Sequence, residues 1–169
     1  MGRDVINDFK VCSIPLLGEL LLRPTRNASI ATWRKVVHDP AVITDEFIDL
    51  GYELMTLPGA KKALMSTIRA GVNVRGQRME LVRELTAGLG SVTAPALIIW
   101  GRQDRILPVA HAHICHERLP GSRLEIFDDC GHMPQLEHPD RFNALVLEFL
   151  DGRTESTGVL STSANSHTS

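Results

Sequence analysis

Apolar and polar positions divide the chain into two stretches with different rhythms. Up to about residue 88, apolar residues recur every three or four positions, the spacing of one face of a helix. Thr44 is suited to cap a helix, and Asp45 and Glu46 follow where the helix dipole favours negative charge. Phe47, Leu50, Gly51, Leu54 and Met55 then mark its apolar face. Pro58-Gly59 breaks the pattern, and Ala63, Leu64, Thr67 and Ile68 predict a second helix ending before Gly71. Residues 29–38 and 79–85 carry weaker helical patterns, and no segment of this half reads as a strand.

The rhythm changes at Pro95. Ala96-Leu97-Ile98-Ile99-Trp100 is a continuous apolar run closed by Gly101, which predicts a strand buried on both faces, as in a parallel sheet. Pro108 suits the first turn of a helix reaching about Leu119, which Pro120-Gly121 stops. Residues 123–128 alternate polar and apolar, as a half-exposed strand does. Pro139 opens a helix whose Phe142, Leu145, Val146, Phe149 and Leu150 form one apolar face. Strand, helix, strand, helix predicts an α/β fold with a parallel sheet.

With 169 residues, 43% hydrophobic and 22% charged, the chain has a globular composition. Residues 152–169 are dominated by Ser and Thr and read as a flexible tail. A net charge of −2 gives no electrostatic reason to expect a nucleic acid or an anionic membrane as partner. Cys12, Cys115 and Cys130 are too scattered for a disulfide framework, and no C-x-x-C pair suggests zinc. The apolar run 14–22, broken by Pro15, Gly18 and Glu19, is too short to span a bilayer and lacks a signal-peptide cleavage site. A soluble, cytoplasmic protein is the expectation.

In open parallel sheets, reactive residues gather in loops at the carboxyl ends of strands. The loop after Trp100 carries Asp104, and the loop after Asp128 carries His132. A carboxylate that orients a histidine, which then acts as general base, needs this placement. Asp128 and Asp129 are rival carboxylates at the second strand end and read as turn residues. Glu137 reads as a helix-entry residue or a support behind the site.

These segments, WGRQDRILP and then GHMPQLEHP before a terminal amphipathic helix, resemble the α/β-hydrolase superfamily, in particular its capped esterases and carbon–carbon bond hydrolases. The resemblance implies that Asp104 is the acid and His132 the histidine of a Ser-His-Asp triad. It implies that residues 1–88 form a helical cap and that 89–151 are the C-terminal part of the hydrolase core. It implies no cofactor.

The family's nucleophile stands on a Gly-x-Ser-x-Gly turn ahead of the acid. Ser13, Ser29, Ser66 and Ser91 are the serines before Asp104, and none has that setting; nor does Cys12. The histidine-glycine segment that commonly supplies an oxyanion donor is absent too. The expectation is therefore the C-terminal half of a larger enzyme, with Met1 to Val5 resembling the link into the cap and the nucleophile outside this chain. A truncated, non-catalytic remnant or interaction module is the alternative. An Asp nucleophile would shift the chemistry to epoxide or haloalkane hydrolysis. With two parallel strands, the chain alone is expected to be marginal and prone to associate, as a homo-oligomer or aggregate.

His111, His113 and His116 form a cluster, but at about 100° per residue they cannot converge on one metal from an intact helix. A solvated, His-rich face is expected, with no metal. Cys115 and Cys130 read as small buried side chains rather than nucleophiles. Trp33, Phe47, Tyr52, Met55 and Met65 are packing residues that can also line a pocket, and Leu107 and Met133 flank the reactive loops. The expected ligand is a small molecule with an apolar portion.

Overall fold

A computed structural model describes residues 4–152 of the chain. In chain order it forms helices α1 (Asn7–Cys12), α2 (Leu17–Leu21), α3 (Arg26–Val36), α4 (Asp45–Thr56) and α5 (Ala60–Gly71). A two-residue hairpin follows, β1 (Val72–Asn73) and β2 (Gly76–Gln77), and then α6 (Met79–Ala87). The second part runs β3 (Ala96–Gly101), α7 (Ala110–Arg118), β4 (Ser122–Phe127), α8 (Pro134–Glu137) and α9 (Pro139–Leu150). The tail expected over 152–169 lies, from residue 153 onward, outside the described residues, as do Met1 to Arg3.

The helix boundaries follow from capping chemistry. Thr44 Oγ1 accepts the Phe47 N–H at 3.2 Å at the start of α4, and Thr25 Oγ1 accepts the Ala28 N–H at 3.1 Å at the start of α3. Gly59, at φ +86°, takes the left-handed turn between α4 and α5. The face of α4 is rotated from the expected one. Ile48 is buried, whereas Leu50 and Leu54 are each 52% exposed. The inward stripe runs through Phe47, Ile48, Gly51, Tyr52 and Met55, because α4 packs on α3, where the Phe47 and Trp33 rings stand edge to face with centroids 4.6 Å apart.

The hairpin corrects the expectation of a strandless first half. Two pairs, Val72 with Gln77 and Asn73 with Gly76, are too short to leave an alternating pattern.

Strands β3 and β4 pair in parallel from Ala96 with Ser122 to Gly101 with Phe127. Their carboxyl ends are thus level. Residues 96–100 are only half-buried, not enclosed on both faces. The reason is that β3 has β4 as its sole neighbouring strand among the described residues. Beneath the pair, Phe127, Cys130 and Leu145 of α9 form one core, with Leu97, Ile99 and Phe142 against it. The apolar face of α9 is only partly covered: Leu150 is 71% exposed. A second core joins Val5, Ile68 and Val72 and touches Leu107 from the loop after β3.

Candidate active site

The level ends of β3 and β4 launch two loops that are stitched together by the backbone. The Arg102 N–H donates to Phe127 O and the Gln103 N–H to Cys130 O, both at 2.9 Å. The Gln103 side chain returns the bond, its Oε1 accepting the Cys130 N–H at 3.1 Å. At Gly101 a methyl group would overlap the Gly131 and Cys130 carbonyls, so only glycine permits this crossing. Arg102 and Asp128 close the outer rim with an ion pair that holds the Asp128 carboxyl below its usual range.

Asp104 and His132 meet across this junction. Asp104 Oδ2 lies 2.8 Å from His132 Nδ1. Its Oδ1 accepts the backbone N–H groups of Ile106 at 2.8 Å and Leu107 at 2.9 Å. The carboxylate is thereby aimed by its own loop. It is 3% exposed, against 36% for the imidazole. A carboxylate can only accept, so Nδ1 carries the proton, and Nε2 is the nitrogen left for a reacting group.

The other carboxylates near the histidine do different work. Asp129 stands at φ +51° and 81% exposed, with Oδ1 3.8 Å from His38 Nε2. Glu137 turns back under the loop: its Oε1 accepts the Gly131 N–H at 2.8 Å and the Met133 N–H at 3.3 Å. Its Oε2 accepts the His38 N–H at 2.6 Å. Glu137, Gln103 and Gly101 hold the site's shape. A side chain reaching 99 residues along the chain leaves no local pattern by which its partner could be found.

A cavity of about 560 Å³ lies among the N-terminal helices, lined mainly by apolar side chains. Trp33 and Met55 line it, and Ile106 and Val36 bring it up to the Asp104 and His132 loops. Phe47 packs behind Trp33, Met65 is buried at 2% exposure, and Leu107 and Met133 are not among its lining residues.

The histidines of α7 do not converge, and no group of three or more metal-ligating side chains is found among the described residues. The face is not solvated throughout, however. His111 is 2% exposed, with Nδ1 3.4 Å from Gln77 Nε2 and its pKa lowered by burial. Its ring lies beside Gln77 of β2, with Asp4 and Asp104 near enough to act on its charge. Cys115 is only half-buried, correcting the expectation of a buried thiol. Cys130 is fully buried, and its pKa is pushed up to about 12, first by burial and then by Glu137 beside it. No helix among the described residues is long and apolar enough to cross a membrane.

Comparison with known proteins identifies the family of the chain. An uncharacterised protein of Mycobacterium tuberculosis is 35% identical over 159 residues, covering 88% of this chain and 45% of the relative. A 2-hydroxy-6-oxononadienedioate/2-hydroxy-6-oxononatrienedioate hydrolase of a Pseudomonas species is 32% identical over 156 residues, covering 89% and 52%. The chain thus spans about half the length of the curated relatives it matches. Among solved structures, the meta-cleavage product hydrolase of Pseudomonas fluorescens superimposes with a TM-score of 0.69 at 23% identity, over 89% of this chain and 52% of that one. The family profile described as alpha/beta hydrolase fold matches residues 29–139, and the chain belongs to that family.

Proposed function

We propose that this chain supplies the acid and the histidine of a Ser-His-Asp hydrolase acting on an ester or an activated carbon–carbon bond. The nucleophile comes from outside these 169 residues. The observation that carries the reading is the 2.8 Å contact between Asp104 Oδ2 and His132 Nδ1 at level strand ends. In the reaction, His132 Nε2 takes the proton of the attacking hydroxyl as the new acyl bond forms. It then returns that proton to the leaving group as the scissile bond breaks. Water repeats the sequence to release the acid. Asp104 holds the tautomer and stabilises the imidazolium. The carbon–carbon alternative is favoured by the names of relatives, one of them 52% identical over 62 residues.

Residues 1–88 act in this scheme as a cap over the reactive loops, and the apolar cavity takes the apolar portion of a small-molecule substrate. The direct test is turnover of a chromogenic ester by the 169-residue chain. None above a His132→Ala control is expected. Fusing residues 4–152 behind the first half of the Pseudomonas relative should restore His132-dependent turnover. His132-dependent turnover by the chain alone would refute the external nucleophile, and a fusion indifferent to His132 would refute the role of the histidine.

A further inference from the structure

His132 is held from both sides by one carboxylate. The peptide N–H groups before and after its own, those of Gly131 and Met133, both point at Glu137 Oε1. The His132 N–H itself donates to Val36 O at 2.8 Å. Glu137 Oε2 takes the His38 N–H at 2.6 Å, two residues beyond that carbonyl. The loop and the segment after α3 are therefore joined at two points, and they touch directly. A Cβ on Gly131 would come within 2.7 Å of Val36 O and His38 N. Charge-assisted hydrogen bonds of this kind are about twice as strong as neutral ones, and three backbone N–H groups converge on Glu137, with the Cys130 thiol 3.9 Å from Oε1.

We propose that Glu137 is a positioning residue. It fixes the backbone on either side of His132 so that Nδ1 meets Asp104, and it ties that alignment to the end of α3, whose Trp33 and Val36 line the cavity. The inference rests on Asp104 and His132 being the working pair. Its physical basis is that the imidazole has only two side-chain torsions between it and this clamped peptide. Displacements of about 1 Å in such groups cost about a hundredfold in rate.

The test reads the histidine itself. In the folded 169-residue chain, nitrogen-15 NMR of the neutral imidazole should show His132 in the Nδ1–H tautomer, with Nε2 unprotonated. Glu137→Gln keeps the size and one acceptor oxygen but presents N–H groups where Oε2 or Oε1 had accepted. The tautomer preference should weaken there, with Nε2–H, the form free imidazole favours, becoming the larger population in Glu137→Ala. Val82→Ala, a core truncation in α6, serves as control: it should lower the thermal midpoint and leave the tautomer alone. An unchanged tautomer in both Glu137 variants overturns the clamp while leaving the Asp104–His132 pair standing. A tautomer lost equally in Val82→Ala, or a chain that fails to fold with either Glu137 substitution, makes Glu137 merely structural and also overturns it. A chain without the Nδ1–H form before any substitution overturns the pair itself.

Discussion

Asp104 divides its two oxygens between the loop that carries it and His132: Oδ1 binds two backbone N–H groups, and Oδ2 stands 2.8 Å from the imidazole. This division makes Asp104→Asn an informative substitution. The amide oxygen can keep the Ile106 and Leu107 bonds, so the loop should hold its shape. The amide N–H₂ would then face Nδ1 and favour the proton on Nε2, where the general base needs a lone pair. In the active fusion, kcat should fall by about 10³–10⁴-fold with little change in thermal midpoint. A variant within a few fold of the parent rate would remove Asp104 from the mechanism.

Gly101 sits where the two loops cross, and its substitution should disturb stability and the position of His132 together. In Gly101→Ala the methyl group would meet the Gly131 and Cys130 carbonyls, which are rigid backbone rather than flexible side chain. A loss of about 1–3 kcal/mol is expected from overpacking of this kind, read as a lower urea midpoint. His132 should be displaced together with Gly131. An alanine variant as stable as the parent would show that the crossing has room for a methyl group.

The elements easiest to read in the sequence are those set by neighbours in the chain. The apolar run 96–100, the Thr44 cap and the Pro139 start each depend on a few adjacent residues, and the strands and helices stand where those signals lie. Asp104 and His132 were legible as a pair because parallel strands bring their carboxyl-terminal loops to one edge. What escaped depends on distant partners. Glu137 binding the His38 N–H, Gln103 binding Cys130, and His111 turning inward are products of packing, and no spacing rule reports them. The two-residue hairpin is below the length at which alternation can register. The half-exposure of β3, which has β4 as its sole neighbouring strand among the described residues, cannot be read from its own apolar composition.

Cys130 should be silent towards thiol reagents in the native chain. It is fully buried, and its thiol, pushed up to about 12, stays protonated at neutral pH, whereas the thiolate is the reactive form. Reaction with an aromatic disulfide reagent at about pH 8 should leave this thiol unmodified until denaturant is added, as peptide mapping would show. Rapid native labelling at Cys130 would mean that the loop before His132 opens readily.

His111 gives the fold a pH dependence whose sign follows from its burial. Burial disfavours the imidazolium, so the folded-state pKa lies below the ordinary value of 6.5. Below 6.5 the unfolded chain therefore binds the proton first, and protonation draws the equilibrium towards unfolding. Stability should be fully present above 6.5 and decline as the pH falls from there towards the depressed folded-state value. His111→Leu, of similar bulk and without a titrating group, should flatten that part of the curve. The measurement is the urea midpoint of both chains from about pH 8 to about pH 5, where the remaining histidines are common to both. The contribution of His111 is the gap between the curves, opening as the solution becomes more acidic. Parallel curves would show that His111 reaches water before the chain unfolds, contrary to its 2% exposure.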